Sequence, residues 1–440
     1  MSDDREIAGS GNDRDRYPQR VTSHPFVPLR HRNVRLLWSA AVISDIGTWV
    51  QLIVVGSLIA ATTGSAVQTG LVALATFMPQ GIASPIGGLL ADRYDRRKVF
   101  SIALLVQALV TTGLAVALGA GVREPMVLTT FILFASAAGA TGAPSYSAML
   151  PDLVPPNELM AMVSLGVYSW NAGRIVGPML GSVLALTVGP AWTIAFNAAT
   201  FVVLSLAVTL LRQPFLPHGD GGGTITERLV GGWRTLRTSP GPWHAVTLLV
   251  LFNLFIVPFM GLIPIYAAEF GGGTGVAGLI ASAQGIGAIA GGIAVTVLAT
   301  RTTRANLAAG IGIAVAFGLA LYAVAPTVGF VVVVAALLGA CGSGVFITGS
   351  TIVQRDAPDA SRGRVMSIMQ AAMGISYGIG LLFIGSIADA THLRLAFGVG
   401  AVLMAVGVVT LTRRSPYWRQ AFDGDPIPAD EPVDALLCPA

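Results

Sequence analysis

Two ionisable side chains stand inside long apolar runs: Asp45 among alanines, isoleucines and valines, and Arg174 in a stretch rich in glycine, valine and leucine. Asp45 follows Arg35 by about ten residues, which on a helix rising about 1.5 Å per residue places it roughly 15 Å beyond that arginine. A carboxylate that meets water in one state and is enclosed in another can bind and release a proton, or pair with a cation. A guanidinium at depth can serve as its counter-ion or meet an anionic group. Each also has a purely structural reading, as an ion pair or packing hydrogen bond for Asp45 and as an outward-snorkelling or structurally paired arginine for Arg174.

Other chemistries find few residues to use. Lys98 is the only lysine among 26 basic residues, and it sits in Asp95-Arg96-Arg97-Lys98-Val99-Phe100, where no glycine-rich phosphate loop precedes it and no Ser or Thr follows it. The five histidines, His24, His31, His218, His244 and His392, fall in tails, loops or segment ends, which speaks against haem ligation, and no Cys/His grouping has zinc spacing. Cys341 and Cys438 make no disulfide framework. No nucleophile–base pair is apparent, so neither a catalytic centre nor a cofactor or metal site is expected. Work done across a barrier would then draw on an ion gradient or on the solute's own gradient.

The elements that must hold Asp45 and Arg174 follow from composition. The chain of 440 residues is 54% hydrophobic, has 53 glycines, a mean hydropathy of +0.73 and only 11% charged residues, against about 25% in an ordinary soluble domain. Residues 1–35 carry 12 of the 48 charges and residues 413–440 carry 8, leaving the middle nearly free of them. That middle is expected to be embedded in a membrane. Apolar windows near 36–61, 68–91, 99–120, 126–149, 159–188, 191–211, 244–268, 275–299, 305–325, 328–353, 365–388 and 394–412 are each long enough to cross the hydrocarbon.

Of the 26 basic residues, 23 fall in the tails and alternate loops on one side, with Arg123 and Arg394 in opposite loops and Arg174 inside a span. The positive-inside rule therefore puts both termini in the cytoplasm. The first apolar segment is too long for a signal-peptide core. The scattered basic groups form no contiguous face, so the net charge of +4 does not point to nucleic acid. The expected fold class is all-α integral membrane, with 12 transmembrane helices as two six-helix bundles. The divisions are a cytoplasmic tail 1–32, a first bundle 33–212, a cytoplasmic linker 213–243 rich in Pro and Gly, a second bundle 244–413 and a tail 414–440. Within the linker, 225–236 reads either as a short amphipathic surface helix or as flexible chain.

A faint repeat at roughly 203 residues supports the division: Val154-Pro155 with Met162-Val163-Ser164 aligns with Ala357-Pro358 and Val365-Met366-Ser367. Parallel repeats of six spans are what a two-bundle alternating-access transporter shows. Gly177, Pro178 and Gly181 suit a closely packed, kinked helix. Gln51, Gln107, Asn171, Asn197, Asn253 and Gln284 read as interhelical glue or pathway lining, while Trp49 and Trp170 read as core packing or as contacts for a flat apolar solute.

The turn after the second span, Gly87-Gly88-Leu89-Leu90-Ala91-Asp92-Arg93-Tyr94-Asp95-Arg96-Arg97-Lys98, resembles the signature loop of the major facilitator superfamily, with Asp95 where the family pattern has glycine. Leu150-Pro151-Asp152-Leu153-Val154-Pro155 and Ala172-Gly173-Arg174-Ile175-Val176-Gly177-Pro178-Met179-Leu180-Gly181 are similar to motifs of its macrolide, multidrug and enterobactin exporters, as are Ser44-Asp45-Ile46-Gly47 and Arg362-Gly363-Arg364.

The resemblance spans about residues 30–414. It implies a gate motif of Gly88, Asp92, Arg93, Arg96 and Arg97 forming an ion-pair latch between bundles, and bundle contact through Gly177, Pro178 and Gly181. It also places spans one and five side by side, which allows an Asp45–Arg174 pair. The resulting expectation is a multi-pass inner-membrane secondary transporter, not an enzyme, exporting amphipathic or cationic drugs in exchange for protons. Its partners would be membrane lipid, a small-molecule substrate and protons, with no nucleotide or nucleic acid, and it would act as a monomer. The alternatives are export of an endogenous siderophore or lipid-like metabolite and, more remotely, a membrane enzyme or sensor.

Overall fold

The computed structural model describes residues 25–212, 225–357, 362–414 and 418–423. The N-terminal tail to residue 24, the linker stretch 213–224, Pro358 of the repeat and nearly all of the C-terminal tail lie outside the described residues.

Regular structure among the described residues is helical throughout. The first half comprises α1 (Arg32–Thr63), α2 (Ala66–Arg93), α3 (Arg96–Gly119), α4 (Pro125–Met149), α5 (Leu159–Thr187) and α6 (Pro190–Thr209). A connecting helix α7 (Ile225–Thr238) leads to α8 (Pro240–Phe255), α9 (Pro258–Gly261), α10 (Ile263–Glu269), α11 (Gly273–Leu298), α12 (Arg304–Ala323), α13 (Val328–Asp356), α14 (Arg362–Ala390), α15 (Leu393–Arg414) and α16 (Trp418–Asp423). Among the described residues eleven helices, counting α8 and α9 as one, are long and apolar enough to cross a membrane, so the chain is a multi-pass membrane protein. The 29-residue α5 falls outside that set because Asn171 and Arg174 in its middle dilute its apolar character. It is packed among the others all the same, against α1 and α6.

Local chemistry explains the helix ends. Gly64, at φ 63°, closes α1 in the left-handed conformation that favours glycine. Ser65 then caps α2 by accepting from Gln68 N at 3.2 Å, and Thr303 and Thr327 cap α12 and α13 in the same manner. Proline opens α4, α6 and α8, where its missing N–H has no intrahelical acceptor to lose. The continuous span expected over 244–268 is instead broken into α8, α9 and α10. Pro258 and Pro264 remove two backbone donors there, and Val257 N reaches back to Phe252 O at 3.0 Å instead of making the usual i→i−4 bond. The connecting helix α7 separates polar from apolar residues around its circumference and buries Leu236.

Helices α1–α6 pack chiefly on one another, as do α8 and α10–α15, giving a first and a second bundle. The helix boundaries keep the spacing of the repeat: α5 and α14 are both 29 residues long and start at Leu159 and Arg362. One end of the molecule gathers Arg96, Arg97, Arg301, Arg355 and Arg364 and is called the basic end below; the opposite end holds the turns at Gly64, Gly121, Gly189 and Gly271.

Candidate functional site

The site is built where α1 and α5 run side by side. A Cβ on Gly177 would lie 2.5 Å from Trp49 Cβ and 2.9 Å from Ile46 O, and one on Gly181 would lie 3.0 Å from Val50 Cα. Any side chain at these positions would therefore push the helices apart. Gly173 continues the stripe one turn earlier, directly against the backbone of Asp45. The motif glycines thus pack α5 on α1 within the first bundle. Pro178 faces the second bundle: a Cβ on Gly278 of α11 would lie 2.7 Å from its carbonyl oxygen.

This packing sets Asp45 and Arg174 at one level but gives them separate partners. Ser169, one turn before Gly173 on α5, donates its hydroxyl to Asp45 Oδ2. Arg174 turns the other way and donates Nε–H to Gln284 Oε1 of α11 at 2.9 Å. Among the described residues no carboxylate lies within ion-pair distance of Arg174, so Asp45 and Arg174 do not pair in this conformation. Both charges are held by neutral groups.

One turn along α1 from Asp45, Trp49 joins a chain of four aromatic rings drawn from both bundles. Trp49 stands 5.5 Å from Trp170 and 6.1 Å from Phe77, and Phe77 stands 6.0 Å from Tyr377 of α14. Trp49, Phe77, Pro178, Gln284 and Tyr377 wall a cavity of about 30 Å³ shared by α1, α2, α5, α9–α11 and α14. That volume holds a water or two. Admitting an amphipathic solute requires the bundles to move apart.

Contacts between the bundles run from this level to the end opposite the arginines. Ser182 hydroxyl reaches Thr274 O at 2.7 Å, and Ser282 hydroxyl donates to Ile175 O at 2.7 Å. At the extreme end Asp389 of α14 accepts from Ser65 Oγ at 2.7 Å, Ala66 N at 2.5 Å and Val67 N at 3.2 Å. These backbone donors belong to the first turn of α2, which has no helical acceptor for them. Sequence reasoning passed over Asp389, because an acid at the end of an apolar run reads as an ordinary loop residue.

The signature turn sits at the basic end, and its bonds remain inside the first bundle. Arg96 donates to Ala148 O at 3.1 Å and lies 3.8 Å from Asp152, while Arg97 donates to Leu211 O at 3.1 Å. Asp92 and Arg93 enter no ion pair among the described residues. Asp95, standing where the family pattern has glycine, caps α3 by accepting from Arg97 N at 2.9 Å and Lys98 N at 3.3 Å. With φ of −55° it needs no glycine. Of the paired glycines, Gly87 makes the close approach, onto Thr141 of α4, whereas a Cβ on Gly88 would meet nothing. A second cluster absent from the sequence reading lies nearby: the wholly buried Glu158 binds Arg30 and, at 3.0 Å, His31, fastening the segment before α1 to the start of α5.

The pattern of the transmembrane secretion effector family matches residues 23–432. The chain is 25% identical over 392 residues to the multidrug efflux pump Tap of Mycolicibacterium fortuitum, covering 86% of this chain and 94% of the relative. It is 28% identical over 391 residues to the enterobactin exporter EntS of Salmonella typhimurium, covering 87% and 92%. Among solved structures its fold matches a bacterial homologue of the lysosomal transporter Spinster, at TM-score 0.68 and 16% identity over 90% of this chain and 98% of that one. It also matches a D-xylose–proton symporter, at TM-score 0.69 and 14% identity over 90% and 99%. The chain belongs to the transmembrane secretion effector family of the major facilitator superfamily, whose members are membrane transporters and not enzymes.

Proposed function

We propose that this transporter exports amphipathic cations in exchange for protons, through alternating access of two six-helix bundles whose termini are both cytoplasmic, in the bacterial inner membrane. The reading rests on Asp45. It is an acid in the middle of a membrane-spanning helix, bound by a single serine and one helical turn from Trp49, which packs on Trp170 and Phe77, with Tyr377 beyond. A carboxylate beside aromatic faces suits a flat or bulky cation, and the same carboxylate can take up a proton once the cation has left. The arginine-rich end faces the cytoplasm on the positive-inside rule. The conformation described is then closed toward the exterior. Asp92, Arg93, Arg96 and Arg97 form the cytoplasmic latch in the opposite state, with Gly88 in the turn, and the Gly177–Pro178–Gly181 segment sets the contact of α5 with its neighbours. The similarity to a multidrug efflux pump supports this substrate class.

The test uses proteoliposomes with an acidic lumen and the permanent cation tetramethylrosamine outside. Wild type should accumulate the dye while the pH gradient lasts, and Asp45→Asn at equal incorporation should not. Gradient-independent uptake, or full activity in Asp45→Asn, would sink the reading.

Arg174 favours a second reading, since a guanidinium whose partner among the described residues is the neutral Gln284 suits an anion. An anionic, siderophore-like cargo would use it in preference to Asp45, in line with the similarity to an enterobactin exporter. Export of a catechol-bearing anion that Arg174→Gln abolishes and Asp45→Asn spares would select it.

A further inference from the structure

Trp49 carries a hydrogen-bond donor that the protein leaves unused. The residue is 6% exposed and lines the central cavity, and its indole Nε1 is buried with no acceptor on the protein. An indole N–H can only donate, and a buried donor without a partner is costly enough that native structures rarely keep one without a use. Two other indoles show that the fold can satisfy such groups. Trp38, on the same helix, donates to Leu165 O at 2.8 Å, and Trp418 to Ala305 O at 3.3 Å.

A second donor lines the same cavity from the other bundle. Gln284 has committed Oε1 to Arg174, and its Nε2 finds only Met260 Sδ at 3.6 Å, a weak acceptor. The remaining walls, Leu52, Ile53, Val72 and Ala73 among them, are apolar apart from the hydroxyls of Tyr377 and of Thr69, the latter donating to Ser65 O at 2.8 Å. One side of the cavity is the aromatic surface of Trp49 and Phe77. Trp49 Nε1–H and Gln284 Nε2–H, one from each bundle, thus belong to residues that wall a mostly apolar cavity, which suits an uncharged oxygen acceptor carried on an apolar or aromatic body.

We propose that Trp49 Nε1–H, with Gln284 Nε2–H opposite, forms a subsite for a carbonyl-type oxygen of the cargo, so that this transporter selects solutes bearing an ester, ketone or amide beside their aromatic or cationic part. The inference rests on the export reading above and deepens it: Asp45 answers to the charge of the cargo, and Trp49 to its neutral oxygen. An acceptor bound between α1 and α11 also ties the bundles together at the level where they already touch.

The test compares two dyes that differ by one methyl ester, tetramethylrhodamine methyl ester and tetramethylrosamine. Their binding to the purified full-length protein in lipid nanodiscs is measured for wild type, Trp49→Phe and Gln284→Leu. Trp49→Phe keeps a ring and removes the N–H. It should weaken the ester dye about tenfold more than tetramethylrosamine, the equivalent of one buried hydrogen bond, whatever loss of ring contact the two dyes share. Gln284→Leu should act in the same direction.

Nitrogen-15 spectra of the wild-type indoles provide a readout that needs no active variant. One buried indole resonance, the one absent from Trp49→Phe, should move with the ester dye and stay still with tetramethylrosamine. Equal losses for both dyes would reduce Trp49 to ring packing and overturn the subsite while the cation reading stands. An unshifted resonance with the ester dye bound, or an unchanged preference in Trp49→Phe, would overturn it too. If wild type binds neither dye, the cation reading falls and the subsite falls with it.

Discussion

Asp45 is held by its own bundle and Arg174 by the other, and this asymmetry gives the two charges different tasks. Ser169 and Gly173, both on α5, fix Asp45 by contacts within the first bundle. Arg174 bonds across the bundle interface, so its partner must change whenever α5 and α11 separate. The glycines of the same stretch are likewise separable by what they touch. Gly177→Ala must place its Cβ 2.5 Å from Trp49 Cβ, closer than real carbon contacts allow. It should destabilise the protein by about 1–3 kcal/mol, the usual cost of overpacking. Gly88→Ala has open space around the new carbon and should leave the unfolding midpoint in detergent unchanged. Equal midpoints for the two variants would contradict the packing described. Asp45 and Arg174 were legible in the sequence because a charge inside an apolar run is conspicuous. Their partners were not: Gln284 lies 110 residues from Arg174, and Ser169 is one serine among many.

At the scale of elements, what matters is which helix end is tied to which. The first turn of α2 presents Ala66 N and Val67 N, and the second bundle answers with the carboxylate of Asp389. A carboxylate at a helix N-terminus gains both the hydrogen bonds and the favourable end of the helix dipole, typically about 1 kcal/mol. Asp389→Ala should therefore weaken closure at the end away from the arginines without unfolding either bundle. A cysteine introduced at Thr69, which is buried near that end, should react faster with a membrane-impermeant maleimide in the Asp389→Ala background. Labelling at the wild-type rate would show that Asp389 does not hold this end shut. Most helix boundaries were legible because arginines, prolines and small capping residues bracket the apolar runs, as at Ser65, Thr303 and Pro125. The break between α8 and α10 was not, because its flanking residues are as apolar as the helices themselves and hydropathy is blind to a missing N–H.

The whole molecule is a pair of bundles in contact over one half of their length. Along α2 and α14 the contact runs antiparallel, from Val67 beside Gly385 at one end, through Leu74 beside Gly378 and the Phe77–Tyr377 ring pair, to Gly81 near Ala371. Beyond that point the signature turn binds only its own bundle. A transporter that works by rocking must break this seam at each cycle, so locking it should arrest the cycle in a known state. Gly385 and Val67 are suited to the purpose: a Cβ on Gly385 would lie 3.3 Å from Val67 Cα, within the reach of a disulfide. With Cys341 and Cys438 replaced, the pair Val67→Cys and Gly385→Cys should cross-link under mild oxidation, stop dye uptake in proteoliposomes and recover on reduction. Reagents reaching a cysteine from the basic end should still label the locked protein, since that side is the one left free. Undiminished uptake by the fully cross-linked protein would mean that the α2–α14 seam stays closed throughout transport, and the moving contact would then have to be sought between α5 and α11.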